Sequence, residues 1–350
     1  MKSNISYFRS SFFFTFIGLI IATIIGYYYT PTVPGILNAL FITVVLGVLE
    51  VSLSFDNAIV NAVILREMTP LWRHRFLTWG MVIAVFGMRL VFPLAIVSIV
   101  GAISPWEALV MAATRPQEYA KMMIDSHLEV SAFGGSFLLL VGLKYFYDEN
   151  KDSHWIKFIE KPLATLGKVQ AIEIGLTLLT LVLLMKLLTP EDQLRFITSG
   201  LYGVITYIAV DGIGSWLEFS GQEKNDVNRA SAGMFLYLEV LDASFSFDGV
   251  VGAFAITQNL FIIMIGLSIG AFFVRSLTIY FVEKDTLNQF AYLEHGAFYA
   301  ILSLAMMMLL GPFFHIPEWV TGLFGATIIG LSVLSSVYWA PLPKQQSGKS

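Results

Sequence analysis

The chain contains no cysteine in 350 residues. That excludes a disulfide-stapled scaffold and any thiolate-ligated zinc or iron–sulfur site, whatever the compartment. Charge is scarce too. Asp, Glu, Lys and Arg make up 13% of the residues, against roughly a quarter in soluble domains. With 56% apolar residues and a mean hydropathy of +0.73, an ordinary soluble enzyme and a disordered chain are both excluded. There is no basic excess, since 21 Lys and Arg face 25 Asp and Glu. No nucleic-acid partner is expected. Short alternating segments of about ten residues are also lacking, which argues against a membrane β-barrel.

What is present is a series of long apolar runs, and about 20 such residues cross a bilayer. Ten stretches qualify: 12–29, 36–65, 76–101, 131–147, 171–188, 197–218, 233–257, 261–282, 295–312 and 319–338. The first ends in Tyr27-Tyr28-Tyr29, not in the small residues of a signal-peptide cleavage site, so it is kept as a helix. Lys and Arg in the connecting segments set the orientation. One side holds Lys2, Arg9, Arg66, Arg73, Arg75, Lys151, Lys157, Lys161, Lys168, Lys224, Arg229, Lys284, Lys344 and Lys349; the other holds only Arg115, Lys121 and Arg195. The basic side is the cytoplasm, and both termini are expected there. The longest outer segment, 102–130, is expected to hold a short surface helix around Trp106–Met111.

Two spans carry nearly the same string. LEVSLSFDNAIV runs from Leu49 to Val60, and LDASFSFDGVVG from Leu241 to Gly252. The alignment pairs Glu50 with Asp242, Ser54 with Ser246 and Asp56 with Asp248. In each copy the next span has a glycine nine residues before an arginine, Gly80 with Arg89 and Gly266 with Arg275. The charge count makes the two copies run in opposite directions. Inverted repeats are a common transporter architecture, with the substrate near the midplane. The expected fold is all-α, a single polytopic domain of about ten transmembrane helices over 1–350. It holds an inverted three-helix repeat at about 36–147 and 233–312, connectors at about 148–232 and a final helix at about 319–338.

Asp56 lies ten residues before Arg66, or roughly 15 Å deep at about 1.5 Å per residue, half of a core about 30 Å thick. Asp248, ten residues before Gln258, reaches the same depth from the other side. An Asp at a helix centre costs about 2.5–3.5 kcal/mol to insert, so it needs a partner, a cavity or a function. Glu50, Ser54, Asn57 and Asn61 form one polar stripe; Glu239, Asp242 and Ser246 form another. The aspartates fall off these stripes. Either the helices unwind near Ser-Phe-Asp, or the aspartates face other neighbours. Carboxylates, an amide, hydroxyls and freed carbonyls make an oxygen-only site, suited to Mg, Ca or Mn. The candidate ligands are Glu50, Asp56, Asn57, Glu239, Asp242 and Asp248, with Arg89 and Arg275 as charge partners.

Other polar residues read more plainly. Glu173 and Asp211 fit a pathway or a structural role equally. His74, His127, His154 and His315 fall in loops and His295 at a span edge, where histidine is usually a surface residue. Met306-Met307-Met308 reads as helix packing or lipid contact, and aromatic residues at span ends as interfacial anchors.

At Glu50, Leu53-Ser54-Phe55 and Asp56-Asn57-Ala58, and again at Glu239, Asp242, Phe245, Asp248 and Phe254–Thr257, the chain resembles the TerC family of integral membrane proteins, within the LysE-like transporter group. Gly134–Leu138 and His315-Ile316-Pro317 are similar to family strings as well. Gly249 stands where the family has Ser, and the ninth span lacks the family's Lys. The resemblance implies a divalent-cation exporter of the plasma (inner) membrane, with Mn²⁺ as the transported ion. No resident cofactor and no enzyme activity are expected.

From the residues alone, transport of another small cation or an amino acid stays open. So do a non-transporting assembly or stress subunit, an intramembrane aspartyl protease with two midplane aspartates sharing a proton, and a homo-oligomer. The expected partners are a divalent cation and the lipid bilayer.

Overall fold

The structure is a computed structural model and describes residues 4–149, 151, 153–219, 226–284, 286–314 and 316–339. Among these residues every regular element is helical. Helix α1 (Arg9–Tyr29) turns back into α2 (Val33–Leu53) through a short corner. There Thr32 caps α2 by accepting the Gly35 N–H at 3.2 Å, and Pro34 sits in the first turn, where no N–H is missed. One residue, Ser54, separates α2 from α3 (Phe55–Glu67). α4 (Pro70–Arg75) opens a helical run to Val100; Phe76–Gly80 and Ile83–Val91 within it are π-helical, and α5 (Phe92–Val100) closes it.

The outer segment holds two short helices where one was expected, α6 (Pro105–Thr114) and α7 (Pro116–Asp125). A reciprocal capping box between Ser104 and Glu107 starts α6. Tyr119 and Met123 of α7 are fully buried, whereas Trp106 of α6 is 70% exposed, so α6 is the expected surface helix and α7 packs on the bundle. Then follow α8 (His127–Tyr147), α9 (Lys157–Leu166), α10 (Ile172–Met185), α11 (Pro190–Phe219), α12 (Asp226–Ile256), α13 (Leu260–Glu283), α14 (Thr286–Gln289), α15 (Leu293–Leu310) and α16 (Glu318–Trp339).

Among the described residues, eight helical stretches are long and apolar enough to cross a membrane: Ile5–Tyr29, Val33–Leu53, Pro70–Val100, His127–Tyr147, Pro190–Ile213, Leu260–Glu283, Leu293–Leu310 and Val320–Trp339. Large apolar side chains point outward from α1, α2 and α16, among them Phe12, Phe16, Phe41 and Leu323, as lipid contact requires. The protein is an all-α, multi-pass membrane protein. Two of the ten expected spans are absent from the eight. α10 has 14 residues, about 21 Å at 1.5 Å per residue, and falls short of a core about 30 Å thick. α12 is 31 residues long but carries Glu239, Asp242 and Asp248.

The packing is reciprocal between the two similar segments. The motif helix of the first, α2 with α3, packs on α13, and α3 also packs on α15. The motif helix of the second, α12, packs on the π-helical stretch Ile83–Val91 and on α8. α8 and α15 pack on each other, as do α13 and the π-helical stretch. Each copy therefore completes the other, and the two motifs meet in the middle. Connectors α9, α10 and α11 lie against α8. Gly203 lets α11 approach: a Cβ there would fall 2.2 Å from the Ser136 hydroxyl and 2.3 Å from the Phe133 carbonyl. Small residues at such contacts are what membrane helices use to come close.

Contacts across the chain also agree with the alternation of sides. Tyr7 donates to Glu283 at 3.0 Å, the Thr69 N–H to Ser231 at 3.0 Å, Tyr29 to the Ala113 carbonyl at 3.0 Å, and Arg195 to Glu129 at 2.6 Å. Each joins segments that the charge count puts on the same side.

Candidate substrate site

Where the motif helices meet, polar side chains are buried that no apolar core tolerates unpartnered. Glu50 on α2 is 2% exposed and Arg89 is 2% exposed. The Arg89 guanidinium donates to the Glu50 carboxylate and to the Ala84 carbonyl. The π-helical turn presents that carbonyl and that arginine together, and such turns recur at functional sites. Ser54, at the break, donates to Glu50 at 3.2 Å. Gly270 of α13 makes room for Glu50, since a Cβ there would meet the Glu50 Cβ at 2.4 Å.

One turn further, Asn57 on α3 donates from Nδ2 to Asp242 on α12 at 2.6 Å. Glu239, one turn before Asp242, presses against the backbone of Gly80, where a Cβ would fall 2.6 Å from its carboxylate. These groups line one cavity of about 40 Å³, together with Asn61, Phe76, Arg275 and Thr278. A water needs roughly 10–15 Å³ of such space, so an ion with one or two waters fits. Three acceptor oxygens here are buried with no donor among the described residues: Asn57 Oδ1, Asn61 Oδ1 and Glu239 Oε1. Arg89 Nε and Arg275 Nε likewise have no partner there.

Asp56 does not join this group. It is buried, and its Oδ1 accepts the Asn57 N–H at 2.9 Å at the start of α3, where the helix dipole favours an acid. It faces a second cavity of about 30 Å³ with Ser52, Gly249, Thr321, Gly322 and Gly325. Glu50 and Ser54 line both cavities and form the wall between them. Of the six candidate ligands, Glu50, Asn57, Glu239 and Asp242 share one cavity. Asp56 lies across the wall, and the Asp248 side chain lies outside the described residues. Among the described residues no three His, Asp or Glu side chains stand in a metal-holding cluster. Any cation in this cavity would therefore rely on amide oxygens and water as well. Of the two candidate charge partners, Arg89 pairs with Glu50.

Two features escaped the sequence reading. α16 lines the Asp56 cavity through Gly322, Gly325 and Ala326; their spacing of three and one was the available signal. His295 is not a surface residue. It is 1% exposed, and its Nδ1 lies 2.9 Å from Glu160 and its Nε2 2.9 Å from Ser153. Burial by itself would raise the Glu160 carboxyl, but His295, the Ile156 N–H and Lys151 overcome it and hold the group at about 2. Lys151 bonds Glu160 at 3.1 Å and lies 3.8 Å over the Tyr145 ring; burial pushes its ammonium down. This cluster ties the 151–160 segment across the basic-side ends of α8 and α15. Of the two acids that fit a pathway or a structural role, Asp211 is paired with Lys144 between α11 and α8, in keeping with the structural one. Met308 packs on Gly134, and Met306 is 38% exposed, in keeping with packing and lipid contact.

No curated protein and no solved structure matches the chain. The model of a family described as "Protein of unknown function (DUF475)" matches residues 55–340, from the first residue of α3 to one residue past α16. The chain belongs to the DUF475 family.

Proposed function

We propose that the protein is a secondary transporter of a hard divalent cation, with Mn²⁺ as the physiological ion and export as its direction. The observation that carries this reading is the set of orphan oxygens. Asn57 Oδ1, Asn61 Oδ1 and Glu239 Oε1 lack donors in the same buried cavity as Asp242. A cation satisfies them at once, and oxygen-only sets select Mg, Ca or Mn over softer metals. Formal charge agrees. Among the described side chains around the two cavities, Glu50, Asp56, Glu239 and Asp242 face Arg89 and Arg275. Acids outnumber bases there, which favours a cation over an anion. The reciprocal packing of the duplicated helices supports alternating access by rocking one copy against the other. The choice of Mn²⁺ and of export rests on the TerC resemblance, and an inner-membrane location with both termini in the cytoplasm rests on the charge asymmetry.

The test is ion flux in proteoliposomes of purified protein, comparing Mn²⁺, Mg²⁺, Ca²⁺ and Zn²⁺. Flux selective for Mn²⁺, and reduced at least about tenfold by Asp242→Asn, supports the site, since losing one charged ligand costs a kcal/mol or more. Asp56→Asn is expected to reduce it as well. Unchanged flux in Asp242→Asn overturns the ligand assignment. No flux of any ion from folded protein overturns the transport reading.

A further inference from the structure

A cavity larger than the two at the candidate site adjoins the Asp56 cavity at Thr321. It holds about 530 Å³ between α2, α7, α8, α12, α15 and α16. Its outer rim carries His127, Ile256 and Ile316, all next to segments that the charge count puts outside. Its floor carries Leu49, Val251 and Thr321. Thr321 also lines the small cavity that holds Asp56, so the large cavity ends at the Asp56 chamber. On the side that the charge count puts inside, the two copies touch. Trp72 and Phe76 of the first copy pack on Phe235 of α12, with ring centroids 5.6 Å and 6.3 Å apart. Below them the Thr69 N–H is bonded to Ser231, and the Lys151–Glu160–His295 cluster is complete.

We propose that the 530 Å³ cavity is the outer vestibule of the transporter, and that Asp56, behind Thr321, is a separate cation position that the ion occupies on the outer side of the Glu50–Ser54 wall. The proposal rests on the transport reading and adds the route and a second site to it. The vestibule walls are mostly apolar, with His127 and Thr321 as polar exceptions. Such walls do not bind a metal, so a hydrated ion passes them with its shell. At about 30 Å³ per water there is room for more than a dozen. Beyond Thr321 the carboxylates among the described side chains are Asp56 and Glu50. Glu50, already neutralised by Arg89, stands between Asp56 and the Asn57–Asp242 cavity.

The natural absence of cysteine makes the test direct. Thr321→Cys at the floor and Ala255→Cys higher in the vestibule are treated from outside with a membrane-impermeant thiol reagent, in cells and in oriented vesicles. Leu140→Cys, fully buried on α8, serves as the unreactive control. Both vestibule variants are expected to react. Mn²⁺ at ten times its dissociation constant slows reaction at Thr321→Cys about tenfold, leaves Ala255→Cys within about twofold, and loses its effect on Thr321→Cys once Asp56→Asn is added. Reaction only from inside, or only with a lipid-soluble reagent, overturns the vestibule, the second result assigning the space to an acyl chain. Protection that survives Asp56→Asn overturns the second site. Folding of each variant is checked by its gel-filtration profile, and Ala255→Cys keeps the vestibule testable if Thr321→Cys does not fold. Labelling reads water access and not flux. Accessible cysteines in a protein that moves no ion would sink the transport reading while leaving the cavity, and active flux without labelling would sink the vestibule alone.

Discussion

Residues 49–56 and 241–248 share five of eight identities (Leu, Ser, Ser, Phe and Asp), yet the first breaks and the second does not. α2 stops at Leu53 and α3 starts at Phe55, whereas α12 runs unbroken from Asp226 to Ile256 through the same letters. The following spans differ as well: Phe76–Gly80 and Ile83–Val91 are π-helical, and α13 is a regular helix. Local propensity cannot separate two nearly equal strings. Surroundings can. Ser52 and Ser244 make the same bond back to the carbonyl four residues earlier, at 2.9 Å and 3.0 Å. The copies part at the next serine, where Ser54 turns to a Glu50 already held by Arg89. Asn57 then reaches across to Asp242, and the second copy has Gly249 in its place. A duplication in sequence thus supplies one helix interrupted at Ser54 and one that runs on unbroken.

The largest expected difference between the copies lies in the arginines. Arg89→Gln strands Glu50 as a buried, unpaired carboxylate, and breaking such a pair costs about 3–5 kcal/mol. Arg275 has an unpartnered Nε and is in no ion pair among the described residues, so Arg275→Gln should change stability by about 1 kcal/mol at most. Thermal unfolding of both variants in mild detergent decides this. Equal losses would mean that the asymmetry between the copies is not electrostatic.

The paired glycines come next. A Cβ at Gly266 would lie 2.6 Å from the Leu46 Cβ and 3.0 Å from the Thr43 carbonyl, neither of which can swing aside. Gly266→Ala should cost about 1–3 kcal/mol by overpacking. A Cβ at Gly80 would meet the end of the Glu239 side chain at 2.6 Å, which can rotate away. Gly80→Ala should therefore leave stability nearly intact and weaken the apparent affinity for Mn²⁺ several-fold, because a proposed ligand is displaced. Flux measured against Mn²⁺ concentration, beside a melting curve, separates the two. Swapped outcomes would place the working site on the α2–α13 contact instead.

The helices were legible because apolar length is a local property. All ten expected stretches fall on helices, and the polar stripe Glu50–Ser54–Asn57–Asn61 does line one cavity. Unwinding at Ser-Phe-Asp was one of two readings the stripe allowed, and it holds for one copy only. Which copy could not be read, since it depends on Arg89, 39 residues away from Glu50. Asp56 being walled off from Asp242 was equally hidden, because the wall is made by the break itself. His295 and Glu160 lie 135 residues apart. Nothing near either residue announces the other, so burial of that pair belongs to tertiary structure alone. The shortness of α10 was missed because hydropathy continues past the point where the helix ends at Met185.

The smallest difference is the most exacting. Ser52→Ala and Ser244→Ala remove a hydroxyl that only bonds back along its own helix, and alanine's better helix propensity, roughly 0.5 kcal/mol, offsets the loss. Both should be neutral within that margin. Ser54→Ala removes the donor that ties the break to Glu50 and puts a strong helix former at the one residue that must stay out of the helix. It should cost about 1 kcal/mol and reduce hydrogen-exchange protection at Phe55–Asn57. The same substitution at Ser246, inside a continuous helix, should not move exchange at its own neighbours. If Ser54→Ala behaves like Ser52→Ala in both readouts, the serine does not hold the break. The cause would then be the Arg89–Glu50 pair alone, and the arginine variant would have to show the exchange change that the serine variant lacks.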